Sequence, residues 1–150
     1  KCPADKSKAG GRTGAPRVRS ISMSQAVGPN RAGTDAGRGN WLPASTYRVF
    51  LKESQVTDPS PSLLWIFLDE HPDSINDAGF GVEMPNGAAA TRWVDVPANY
   101  HNGAGGLSFA DGHSEIREWV VQTAIPPVTY VALSSIIQAP NNIDVRRRHP

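Results

Sequence analysis

The sequence predicts an α+β, β-rich fold: a small antiparallel sheet carried between long loops. With 14 Gly and 13 Pro in 150 residues, little of the chain suits long helix, and no long amphipathic helix is visible. Several short stretches instead alternate polar and apolar residues with period two, as half-buried strands do. These stretches follow one another through turns without helical crossovers, which favours antiparallel pairing.

The strongest of them is residues 100–119, which reads as a Gly-rich loop (His101-Asn102-Gly103-Ala104-Gly105-Gly106), a strand carrying Leu107 and Phe109, an Asp111-Gly112 turn and a return to Trp119. An Asp-Gly pair between alternating apolar residues is a hairpin signal, because a two-residue primed turn needs positive φ and Gly adopts it without a Cβ clash. That turn places Phe109 opposite Ser114 and Leu107 opposite Ile116, with Leu107, Phe109 and Ile116 on one face.

The other elements follow in chain order. Residues 17–23 alternate and predict a half-buried strand, with Val18, Ile21 or Met23 inward depending on a slip at Ser20. Residues 28–40 form a long Gly/Asn/Arg loop, and Trp41-Leu42-Pro43 returns to the core. Residues 46–52 lead into a short turn of helix or strand near Val56. Asp58-Pro59-Ser60-Pro61 forces an extended entry, since a residue before proline is kept out of the helical region. Residues 63–68, Leu-Leu-Trp-Ile-Phe-Leu, predict a central strand buried on both faces. A polar loop follows, closed by Gly79 and anchored by Phe80. Residues 81–84 suit a brief edge strand and residues 92–97 another alternating one, while residues 130–137 suit either a strand or a helix.

With 39% hydrophobic residues the 150-residue chain supports one domain and one core, with residues 1–16 and 138–150 expected as loose ends. The apolar run 63–68 is far too short to span a bilayer. The chain opens on Lys1, so it reads as a processed chain or a fragment, and its one cysteine, Cys2, has no internal disulfide partner. Net charge is +1 but segregated: residues 1–52 carry +8, residues 53–118 carry −9 and the tail carries +2. Opposite patches suit an internal clasp or contacts between copies. Nucleic acid is not an expected partner, because the basic residues are scattered and lack aromatic interleaving.

Two clusters are candidates for chemistry. Asp69, Glu70, Asp73, Asn76 and Asp77 place five oxygen-bearing side chains within nine positions, and calcium takes six to eight oxygens from flexible loops. The spacing is not that of an EF-hand, and the same residues also suit local turn bonds to backbone amides. His101, Asp111 and His113 are the second cluster, with residue types that bind zinc or exchange protons. Strand length opposes a joint site: at about 3.3 Å per residue, His101 and Asp111 stand roughly 13 Å apart. A structural role then has Asp111 capping the turn and His101 bonding to its own loop or to the acidic loop. No nucleophile elbow is present, and the glycines at 103–106 open a strand rather than a phosphate-binding helix. Trp41 and Trp93 are candidate stacking platforms for sugars.

Three patterns together resemble one family: Cys2-Pro3-Ala4-Asp5; the strand ending in Asp69-Glu70-His71-Pro72-Asp73-Ser74-Ile75-Asn76-Asp77; and His101, nine residues, then Asp111-Gly112. They resemble the processing-associated domain of prepilin-like, or pseudopilin-like, proteins named for that His-to-Asp-Gly spacing, over residues 2–119. The resemblance implies a pilin-like globular head without the leader and apolar helix with which such proteins begin. It implies display in the periplasm or at the cell surface on a type II secretion-like or type IV pilus-like assembly. Its partners would be copies of itself or related subunits, with exported protein or polysaccharide as further ones, and any membrane contact would run through a helix absent from this chain. It implies no catalytic activity, and its analogy to the major pseudopilins supports calcium. The competing expectations are a metal-dependent hydrolase built on Asp69, Glu70, His101, Asp111 and His113, and a carbohydrate-binding surface built on Trp41 and Trp93.

Overall fold

The computed structural model describes residues 1–9, 13–28, 38–39, 47–83, 92–120, 125–131 and 137–138. Among these, ten strands form: β1 (Ile21–Ser24), β2 (Arg38–Gly39), β3 (Tyr47–Arg48), β4 (Trp65–Asp69), β5 (Gly79–Phe80), β6 (Val82–Glu83), β7 (Arg92–Trp93), β8 (Ala104–Phe109), β9 (Ser114–Glu118) and β10 (Ile137–Gln138). The main sheet has five strands in the order β5-β1-β4-β8-β9; a second runs β10-β7-β6, and β2 pairs with β3.

The expected α+β class is corrected to a β-rich fold. The only helical element among the described residues is a 3₁₀ turn, Glu53–Gln55, closed by the Gln55 side chain accepting the amides of Leu51 and Lys52 at 2.7 and 3.1 Å. Helix nucleation is costly, and 14 Gly and 13 Pro interrupt the chain repeatedly. The main sheet is also mixed rather than purely antiparallel, since β5 runs parallel to β1 with Met23 opposite Gly79 and Ser24 opposite Phe80.

Strand β4 is central, as its apolar run predicts, but it is not buried on both faces. A bulge between Trp65 and Phe67 in its pairing with β8 lets Trp65 and Leu68 both face inward and turns Phe67 outward, 44% exposed. Strand β1 reverses the expected polarity. Ser22 and Ser24 point into the protein at 1% and 3% exposure, whereas Ile21 and Met23 lie on the open face at 44% and 37%, and Val18 is 90% exposed.

The β8–β9 hairpin forms, with its register one residue from the expected one. Ser108 pairs with Ser114, Leu107 with Glu115 and Gly106 with Ile116. The loop has three residues, not two: Phe109 N donates to His113 O at 2.9 Å, and Gly112 sits at φ +92°. A type I turn completed by a left-handed glycine accounts for the extra residue. The slip moves Ile116 to the face opposite Leu107, where it is 63% exposed against 4% for Leu107. The primed turn lies one element earlier: Asn102 and Gly103 have φ of +54° and +86°, and His101 and Ala104 exchange backbone bonds of 3.1 and 3.2 Å.

The core lies between the inner face of the main sheet and the second sheet. It joins Trp65, Leu68, Leu107 and Phe109 of the first to Trp93 of the second, with Phe80, Val96, Trp119 and Ile125. Phe80 packs edge-on against both Trp65 and Trp93, at centroid separations of 5.7 and 6.2 Å. The start of the chain is pinned here rather than loose: Cys2 N donates to Ser20 Oγ at 2.7 Å, and Asp5 and Ser7 are buried. Residues 139–150 lie outside the described residues.

Candidate functional site

The acidic segment begins where β4 ends, and its backbone ties neighbouring segments together. Glu70 N donates to Ser20 O at 2.8 Å, His71 N to Val96 O at 2.8 Å, and Ala98 N to Asp69 O at 2.8 Å. These bonds carry the segment under the sheet, so Glu70 and His71 are fully buried. Proline at position 72 follows directly and turns the chain back.

Each side chain then takes a separate internal partner. Glu70 accepts hydrogen bonds from Ser22 Oγ and, at 3.1 Å, from Ser74 Oγ, which in turn accepts the Val96 amide at 2.9 Å. Burial pushes the Glu70 carboxyl up to about 7 against the lowering effect of Ser22, with nearby Asp95 raising it further. Asp95 is itself pushed up to about 6 by burial, although the Gly81 amide donates to it at 2.7 Å. His71 Nδ1 accepts the Asp73 amide at 3.2 Å, so its proton sits on Nε2, which donates to Pro126 O at 2.9 Å. Burial holds this imidazole below the usual histidine range and therefore neutral.

Asp73 turns towards the C-terminal segment, where its Oδ2 accepts Thr129 N at 2.7 Å and Thr129 Oγ1 at 2.8 Å. Asn76 and Asp77 are exposed and cap their own turn, with Asp77 Oδ1 accepting the Gly79 amide at 2.7 Å. Asp69 Oδ2 accepts Gly106 N at 3.0 Å and stands 3.4 Å from His101 Nε2. Asp111 and His113 meet each other at the exposed hairpin tip, 2.5 Å apart, which lowers the Asp111 carboxyl; the His113 ring stacks on Phe109 at 4.3 Å. Gly112 supplies only the turn.

The five carboxylate and amide side chains proposed for calcium thus face different neighbours. Among the described residues no group of three His, Cys, Asp or Glu side chains is placed to hold a metal ion. Among the described residues these side chains are not gathered into a calcium-binding donor set. The residues of the hydrolase alternative divide in the same way, into a buried Glu70, an Asp69–His101 pair and an Asp111–His113 pair. Trp93 is 5% exposed and belongs to the core, which removes it as a stacking platform; Trp41 lies outside the described residues.

Several further buried polar residues lie outside the three motifs. Ser20, Ser22 and Ser24 are all buried, and serine at every second position of an alternating stretch was the available signal. Glu83, fully buried, pairs with Arg92 at 2.6 Å across β6 and β7, visible only once Glu83 and Arg92 are in register. Comparison with known protein families, curated proteins and solved structures finds no match to this chain.

Proposed function

We propose that this chain is the globular head of a pseudopilin-like structural subunit, acting by assembly and by surface presentation outside the cytoplasmic membrane. One observation carries the reading: the motif carboxylates are held by internal partners, some in the motifs and some on other segments of the fold. Asp69 is tied to His101 and Gly106, Glu70 to Ser22 and Ser74, and Asp73 to Thr129. A carboxylate oxygen that accepts from internal donors positions backbone rather than substrate. The pinning of Cys2 to Ser20 brings the third motif segment into the same body.

The remaining titratable pairs do not assemble a nucleophile, base and orienting group at one place, which disfavours the hydrolytic alternative. The test is cell fractionation of the source organism with an antibody raised against this chain. Recovery with sheared surface filaments or the envelope fraction is the expected result. Recovery in the cytoplasm alone overturns the proposal.

A further inference from the structure

We infer that the outer edge of β9 pairs antiparallel with the same edge of a second copy, about a two-fold axis through Ile116. Strand β9 ends the main sheet, and among the described residues no strand lies beyond it. Phe109 N donates to His113 O and Trp119 N to Gly103 O, so residues 113 and 119 direct their backbone groups towards β8. By the alternation of an antiparallel ladder, residues 115 and 117 do the same, and Ser114, Ile116 and Glu118 direct theirs outward. Those three residues are exposed, Ile116 by 63%.

Charge on an edge strand ordinarily opposes pairing with another edge. Here the order Glu115-Ile116-Arg117 reverses that effect in one register. Centred on Ile116, the two copies form a hydrogen-bonded Ile116–Ile116 pair at the axis. Glu115 of each then faces Arg117 of the other in non-hydrogen-bonded pairs, where Cα atoms approach to about 4.5 Å. Ser114 faces Glu118. A centre at Glu115, Arg117 or Glu118 instead sets like charges against each other. Within one chain Glu115 and Arg117 are 3.8 Å apart on the same face and each about one-third exposed, which puts both charges within reach of a neighbouring strand.

The apolar face adds to the match. Ile116 lies over Gly106, and with Ile21, Met23 and Phe67 it makes an open strip across the sheet, each of the four more than one-third exposed. Pairing at Ile116 joins two such strips into one across a ten-stranded sheet. An isologous contact of this kind closes on itself and gives a dimer, not a fibre. It stands independently of the pilin-like reading.

Sedimentation equilibrium of the full chain tests it with charge variants. The unaltered chain is expected to shift from monomer to dimer with rising concentration. Glu115→Arg and Arg117→Glu each weaken dimerisation by about tenfold or more, because each places like charges opposite one another. An equimolar mixture of the two single variants, and the double variant Glu115→Arg/Arg117→Glu, both recover the dimer. Circular dichroism of each variant separates loss of pairing from loss of fold, and the double variant decides the matter if a single variant unfolds. A monomer at all concentrations, or single variants that dimerise as well as the unaltered chain, overturns the inference.

Discussion

Asp69 Oδ2 sits between two partners, the Gly106 amide at 3.0 Å and His101 Nε2 at 3.4 Å. The two contacts differ in weight. The imidazole is about 39% exposed, so its contact is screened by solvent, whereas the amide belongs to the sheet. His101→Ala is expected to cost less than about 1 kcal/mol. Asp69→Ala leaves the amide without its acceptor and is expected to cost about 1–3 kcal/mol. Urea denaturation of both variants checks the order; a larger loss for His101→Ala contradicts it.

Glu70 makes stability depend on pH in an unusual direction. Its carboxyl rises from 4.5 in the free side chain to about 7 in the fold, so the folded state binds the proton more tightly. The resulting stabilisation is fully present below about pH 4.5, is lost as pH rises through 7, and amounts to about 3 kcal/mol. His71 acts oppositely: its lowered pKa removes stability as pH falls below 6.5. Glu70→Gln isolates the carboxyl, and the difference in stability between it and the unaltered chain is expected to change between pH 4.5 and 7. A constant difference across that window rules out a titrating Glu70.

Gly105 shows why strand β8 carries glycines near its start. A Cβ there would stand 2.8 Å from Ala98 O and 3.0 Å from the Trp119 ring, whose Nε1 donates to the same carbonyl at 2.7 Å. Gly105→Ala therefore overpacks a closed site and is expected to cost roughly 1–3 kcal/mol. Trp119 fluorescence and thermal unfolding measure the effect.

At the hairpin tip the obstacle is conformational. A Cβ on Gly112 meets nothing within 4 Å, yet its φ of +92° is unfavourable for any other residue. Gly112→Ala is expected to cost about 1–2 kcal/mol, and Gly112→Asn less. Equal unfolding midpoints for Gly112→Ala and the unaltered chain would refute this turn geometry.

The inverted strand gives the sharpest contrast. Ser22→Val adds apolar surface at a buried position but removes the Glu70 donor, and is expected to destabilise by about 1–3 kcal/mol. Ile21→Thr, on the open face, is expected to stay within about 0.5 kcal/mol. The opposite order would show that Ile21, not Ser22, faces the core.

Local pattern alone determined which segment is central and where the β8–β9 hairpin reverses, but not β2 or β5, which fall in stretches that read as loop. Alternation over residues 17–23 overlaps β1, the apolar run located β4, and Asp111-Gly112 marked the turn between β8 and β9, because these follow from backbone sterics within a few residues. Tertiary structure decided which way each face points. Hydrophobicity by itself directs Ile21 inward, but the buried carboxyl of Glu70, 48 residues away, needs a hydroxyl donor, and Ser22 supplies it. The same holds for the motif carboxylates: spacing showed that Asp69, Glu70 and Asp73 are close in sequence. Only the fold shows that their oxygens diverge, each towards a donor on a different segment.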